Sequence, residues 1–392
     1  MTKKFSLSTI ILLFVLGSFV LYESSMMFAG LDDMTQEVSA FGSFSTFPLI
    51  LLFFSVIYLL STKPRVPFSI YRVFLIFFIF TYVLTIFWSL FYPLNSRIVL
   101  FSSFLPICFW LLGDSLCVYK REDTIKLYLP ICFIFLAIYF FLSFDVTLML
   151  DKEHAAINAS YVIIYLLPFI LLSEKRFIRI LGIIITALIS VASLKRGGMI
   201  SLSVGLLFYL IVYFKVKTGK SISLKGIFFL ALAGLAIFYL ITYLNESMEG
   251  LVFNRFTSIE QDGGSGREDI YKEVQGMISN SSFGGLLFGH GWNGVMRDSA
   301  SKLSAHNDFL EIIYDFGVIA FVLYIIFVFK LLAHLFKLIK HNHPEAPALS
   351  ASIGIFLANS MFSHIYIYAW YIIIFTFFWG FIFRDTYKLV KK

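Results

Sequence analysis

Charge is what this 392-residue chain has least of: 14% of its residues are Asp, Glu, Lys or Arg, against 59% hydrophobic. Soluble domains carry about 25% charged residues, so a water-soluble fold is excluded, and a mean hydropathy of +0.87 agrees. Cysteine is almost missing. Cys108, Cys117 and Cys132 lie in apolar runs without metal-ligand spacing, which leaves them as small core hydrophobes. Apolar and polar residues do not alternate with a period of two, which argues against a membrane barrel. The sequence also has no P-loop, GxSxG elbow, CxxC pair or DxD carboxylate pair. Together these absences count against an ATP-driven pump, a serine hydrolase and a nucleotide-sugar enzyme.

What is present is a succession of apolar runs of about 20 residues, each long enough to cross a hydrocarbon core of roughly 30 Å as a helix. They predict spans at approximately 6–28, 43–61, 68–91, 98–118, 125–147, 155–173, 177–194, 198–214, 223–244, 306–336, 349–366 and 368–384. The first run, behind Lys3 and Lys4, is read as a span rather than a signal peptide, because it is long for an h-region and lacks a small-residue cleavage site. The expectation is an all-α membrane protein with about 12 transmembrane helices and one large outer (periplasmic or extracellular) loop before the last three. Residues 1–244 hold spans 1 to 9, residues 245–303 the loop with a short surface helix, and residues 304–392 spans 10 to 12 with a cytoplasmic tail. Cytoplasmic termini put 22 of the 31 Lys and Arg residues inside, as the positive-inside rule asks. Topology therefore accounts for the net charge of +7 without nucleic acid.

Nine basic residues remain on the outer side: Arg97, Lys152, Lys195, Arg196, Arg255, Arg267, Lys272, Arg297 and Lys302. Lys195 and Arg196 stand out, since they occupy a very short connection between two apolar runs. Ionisable residues at such depth mark a substrate path, or else snorkel to headgroups. In the loop, Arg267 to Ser279 reads as a short helix with Ile270, Val274 and Met277 along one face. Gly289 to Gly294 matches GxGxxG in letters, but no strand precedes it, so it is read as a place where backbones pack closely. The next span opens with His306-Asn307, and Asp308, Glu311 and Asp315 share one helical face. Three carboxylates there imply a hydrated vestibule or basic partners, and a stripe without histidine is a poor metal cage. A neutral imidazole near guanidinium groups has the outline of group transfer: arginine grips phosphate oxygens in a bidentate way, and imidazole is the usual general base. The plainer readings are a cap neighbour for His306, a loop ion pair to Glu268 or Asp262 for Arg267, and another loop ion pair for Arg297. Trp292 and Trp370 would stack on sugar rings or line the interface.

At these residues the chain resembles the bacterial O-antigen polymerase and O-antigen ligase family of polytopic membrane glycosyltransferases. The resemblance lies in Ser265-Gly266-Arg267, in the Gly289–Gly294 turn, in Ala305-His306-Asn307-Asp308-Phe309-Leu310-Glu311 with Gly317, and in the turn from Ser193 to Gly198. It departs where Leu194-Lys195 interrupts the usual Ser-Arg pairing, where Tyr271 follows Arg267, and where Ala320 follows Gly317 in place of Gly, Thr or Tyr. The resemblance implies an inverting glycosyl transfer with no metal or cofactor. His306, Arg267 and Arg196 would be catalytic, with His306 taking the acceptor's proton and the arginines neutralising an undecaprenyl-pyrophosphate leaving group. Asn307, Lys195, Arg255 and Arg297 would bind substrate. The expected partners are the undecaprenyl-pyrophosphate-linked oligosaccharide, membrane lipid and a chain-length regulator, in the bacterial inner membrane. A ligase that moves the finished glycan, or a flippase for lipid-linked sugars, is the alternative.

Overall fold

The computed structural model describes residues 7–27, 46–62, 69–92, 96–118, 122–143, 159–193, 195–218, 266–366 and 368–386, with single positions between 239 and 253. Every regular element among the described residues is a helix: α1 (Leu7–Met27), α2 (Thr46–Thr62), α3 (Ser69–Ser89), α4 (Ser96–Val118), α5 (Glu122–Ser143), α6 (Ala159–Leu171) and α7 (Arg176–Ala192). The chain continues with α8 (Arg196–Thr218), α9 (Arg267–Ser279), α10 (Phe283–Phe288), α11 (Gly294–Asp298), α12 (Asp308–Lys340), α13 (Ala346–Phe362) and α14 (Ala369–Asp385). Apolar runs take this form because no water reaches the hydrocarbon, and only a helix pairs its backbone groups within one segment. Eleven of the expected spans coincide with helices to within a few residues. The expected span at 223–244 falls almost wholly outside the described residues, as does Arg255. By length and composition, Ile70–Ser89, Arg196–Lys217 and Asp308–Lys340 are candidate membrane spans, and several shorter apolar helices accompany them.

Two compact units are distinguished. The first takes residues 1–71, 95–189 and 368–392. Its closest seam joins α4 to α14, where glycines let two backbones touch: a Cβ on Gly380 would overlap the Trp110 carbonyl, and one on Gly113 the Phe377 carbonyl. Ring pairs Phe109–Phe377 and Trp110–Phe383 fill the seam at centroid distances of 5.8 and 5.5 Å.

The second unit takes residues 72–94 and 190–367. Here α8 and α13 pair by the same device, Gly354 lying under the Phe208 ring, and Ser350 Oγ donates to the Phe208 carbonyl at 3.0 Å. The long helix α12 spans about 50 Å at 1.5 Å per residue, and it is kinked at Gly317, whose φ of 78° and ψ of 175° are not helical. A kink frees carbonyls that a straight helix would pair with N–H groups four residues on. Those of Tyr314 and Asp315 instead accept from His290 N at 3.0 and 3.1 Å, and Gly291 N donates to Asp315 O at 2.8 Å. Gly289, with φ 72°, lies against the Asp315 carbonyl, and Gly317 against the Leu287 carbonyl. The GxGxxG lettering is thus a docking turn for a kinked helix. On its other side α9 buries Ile270 and Val274 against Val295, Ala305 and Tyr314.

Replacing Gly317 with Ala sets a Cβ against the Leu287 carbonyl in a left-handed conformation. The expected loss is ~1–3 kcal/mol, read as a lower thermal unfolding midpoint in detergent. Gly276, helical in α9 with nothing within 4 Å of its missing Cβ, serves as the control. Its change to Ala is expected to stabilise by ~0.5–1 kcal/mol.

Candidate functional site

The site grows from the first residues of α12. Asn307 is its N-cap, with its side-chain oxygen accepting from Phe309 N at 3.0 Å and Leu310 N at 3.1 Å. Its amide nitrogen donates to the Met361 carbonyl at 3.2 Å. Both polar ends of Asn307 are therefore engaged in holding the chain, a task different from the sugar contact expected of it. One residue earlier, His306 has φ 48°, a left-handed value uncommon outside glycine and found preferentially at functional positions. The Tyr271 hydroxyl, from α9, lies 3.2 Å from the Met361 carbonyl and 3.4 Å from that of His306. This ties α9, the approach to α12 and the end of α13 together.

The three carboxylates do not face a hydrated vestibule. Asp308, Glu311 and Asp315 are at most 2% exposed, and each is met by backbone amides of a segment folded over the helix. Asp308 accepts from Ile365 N at 3.1 and 3.2 Å and from Tyr366 N at 3.4 Å. Glu311 Oε1 accepts from Ala305 N at 2.8 Å, and Asp315 Oδ1 from Val295 N at 3.0 Å. Glu311 Oε2 lies 3.0 Å from His364 Nδ1, and His364 Nε2 lies 2.8 Å from Ser304 Oγ. Asp308, Glu311 and His364 offer ligand atoms within 4.8 Å of one another. Most of those atoms already have partners inside the protein, which makes the cluster a poor fit for a cation.

His306 is half-buried, and its ring centroid lies 4.5 Å from that of His364. Burial, followed by the His364 imidazole and the Arg267 and Lys195 cations, lowers its pKa from 6.5 to about 2. It is therefore a neutral imidazole in a cationic field. Arg267, the first residue of α9, and Lys195, just before α8, are thus in electrostatic reach of His306, while Arg196 opens α8 beside Lys195. Arg297 has a separate set of neighbours: it pairs with Asp298 at 2.7 Å, donates to the His290 carbonyl at 2.9 Å and covers the Tyr92 ring at 3.7 Å. Its guanidinium is already committed to holding α11. Trp292, expected to stack on sugar or line the interface, is 3% exposed, with its ring packed on Phe316 and Tyr366. His364 was not singled out from sequence. An ionisable residue near the end of the expected 349–366 span was its only signal.

Long apolar helices that bury polar side chains at one end define an all-helical integral membrane protein. Residues 181–325 match the O-antigen ligase family model. This segment contains Lys195, Arg196, Arg267, His306 and Glu311, and stops short of His364. No curated protein matches the chain.

Two expectations follow. Asp308→Ala leaves the Ile365 and Tyr366 amides buried without an acceptor. Each such group costs ~1–3 kcal/mol, so the variant should melt earlier in detergent than Asp308→Asn, which keeps a carbonyl oxygen there. The second concerns pH. Between the depressed value for His306 and about 6.5, the unfolded chain binds a proton that the folded chain does not, so stability falls as pH drops below 6.5. His290 adds to the same slope: burial lowers its pKa, as does Arg297, against an opposing contribution from Asp298. Across a melting series from pH 8 to pH 5, the midpoint of the native protein should fall relative to that of His306→Asn, in which Asn tolerates the left-handed backbone.

Proposed function

We propose that the chain is a polysaccharide polymerase of the bacterial inner membrane, joining undecaprenyl-pyrophosphate-linked repeat units into O-antigen, capsule or exopolysaccharide by inverting glycosyl transfer without a metal. The observation that carries this reading is the neutral His306 imidazole within electrostatic reach of Arg267 and Lys195, inside the stretch that matches the family. With about twelve spans and cytoplasmic termini, the site opens on the outer face, where a donor already carrying a pyrophosphate leaving group supplies its own energy.

The acceptor hydroxyl loses its proton to His306 as its oxygen bonds the anomeric carbon of the donor. The bond from that carbon to phosphate breaks, and the electron pair leaves with the pyrophosphate. Arg267, Lys195 and Arg196 neutralise that charge, commonly one of the largest contributions to catalysis. Burial is the main cause of the low His306 pKa, and the Arg267 and Lys195 cations add to it; the pyrophosphate offsets the share that the cations contribute. Arg255 adds to the basic lining in this reading, whereas Arg297 serves to hold α11, and a chain-length regulator is a further partner.

The description of the matching family as O-antigen ligase favours a second reading, transfer of a finished glycan to lipid A core or protein. The product separates the two. Loss of a polymerase leaves single repeats on the final acceptor, whereas loss of a ligase leaves long chains on the carrier lipid. His306→Ala is expected to abolish chain extension while lipid-linked single repeats accumulate on the outer leaflet, measured by carrier-lipid extraction and leaflet-selective labelling. Repeats trapped on the inner leaflet would instead indicate a transporter. Arg267→Ala is expected to lower turnover by ~10²- to 10³-fold in a reconstituted transfer assay.

A further inference from the structure

The sequence lacks a GxSxG elbow, yet a nucleophile, its base and an orienting carboxylate are recognised by mutual geometry rather than by a motif. Such a set stands at the start of α12. Ser304 Oγ is 2.8 Å from His364 Nε2, and His364 Nδ1 is 3.0 Å from Glu311 Oε2. The second oxygen of Glu311 is fixed by the Ala305 amide at 2.8 Å. Glu311 and His364 are each 2% exposed, whereas Ser304 is half-buried, so the hydroxyl is the member of the set open to a ligand. The approach of Nδ1 to Oε2 is off the line of a hydrogen bond, as is common in catalytic sets without substrate.

We propose that Ser304 is a nucleophile for acyl transfer, with His364 as its general base and Glu311 orienting the imidazole. Its substrate is an O-acyl ester on a glycan. The choice of a glycan ester rests on the glycosyl-transfer reading, because Ser304 lies two residues before His306; the nucleophile itself does not rest on it. Ser304 Oγ bonds the ester carbonyl carbon as its proton passes to His364 Nε2. The carbon to sugar-oxygen bond breaks, and the sugar oxygen takes the proton from His364. Water then attacks the acyl-serine, giving its proton to His364, and the carboxylic acid leaves as Ser304 regains a proton.

The test uses the full chain in detergent micelles, a tagged fluorophosphonate and the chromogenic ester p-nitrophenyl acetate. Peptide mass spectrometry should find the phosphonyl group on Ser304. Labelling and ester turnover should vanish in Ser304→Ala and slow by about a hundredfold or more in His364→Gln, with Glu311→Gln slowed as well while each variant keeps a cooperative thermal transition. An unlabelled Ser304 in folded native protein overturns the proposal, and so does a His364→Gln variant labelled at the native rate. Chain extension is assayed in parallel. Native protein that is labelled but extends no chain overturns the transferase reading alone, and native protein that extends chains without labelling overturns the nucleophile alone.

Discussion

Three carboxylates on one face of α12, each catching the backbone of a different segment, hold the site together. Asp308 takes the amides that follow α13, Glu311 the amide of Ala305, and Asp315 the amide of Val295. The spacing i, i+3, i+7 lines them along the helix, and the kink at Gly317 frees the carbonyls of Tyr314 and Asp315 for the Gly289–Gly294 turn. A carboxylate taken out of water is costly unless hydrogen bonds replace its hydration. Here the replacement comes from chain segments that the helix must order, so the desolvation of the carboxylates and the positioning of the loops are one event. His306 lies between the Ala305 amide and the Asn307 cap, and Ser304 immediately precedes that amide. Glu311, through the Ala305 amide, and the Asn307 cap fix the backbone on either side of His306, and His364 meets both Ser304 and His306.

Much of the architecture was legible because it depends on the chain's own periodicity. Apolar runs long enough to span hydrocarbon have one stable form, so helix positions followed from composition alone, and the buried pair Ile270 and Val274 followed from their i, i+4 spacing. The partners of the three carboxylates were not legible. A backbone amide leaves no letter in the sequence, and a stripe of acids looks the same whether it faces water or a folded loop. Trp292 misled for a related reason: an aromatic in a polar loop looks available to sugar, and nothing local reveals that Phe316 and Tyr366 enclose it. Ala320 looked like a departure at the kink. The freed carbonyls belong to Tyr314 and Asp315, and Gly317 alone supplies the non-helical turn, so the buried position 320 has no part in making it.

The two cations that act electrostatically on His306 stand, like His306 itself, at the beginnings of helices. Lys195 immediately precedes α8, Arg267 is the first residue of α9, and His306 immediately precedes the cap of α12. The beginning of a helix carries the positive end of its dipole, equivalent to roughly half a charge, so cations placed there are opposed by the backbone as well as by one another. Helices ordinarily put acids at that end, and α12 does so with Asp308 and Glu311. Both of those acids are turned inward to backbone amides and His364, while α9 carries Glu268 and Asp269 in its first turn beside Arg267. An anion with several oxygens suits cations and helix beginnings at once. In the proposed reaction such an anion offsets the share of the His306 shift that comes from Arg267 and Lys195, with the larger share, from burial, left in place.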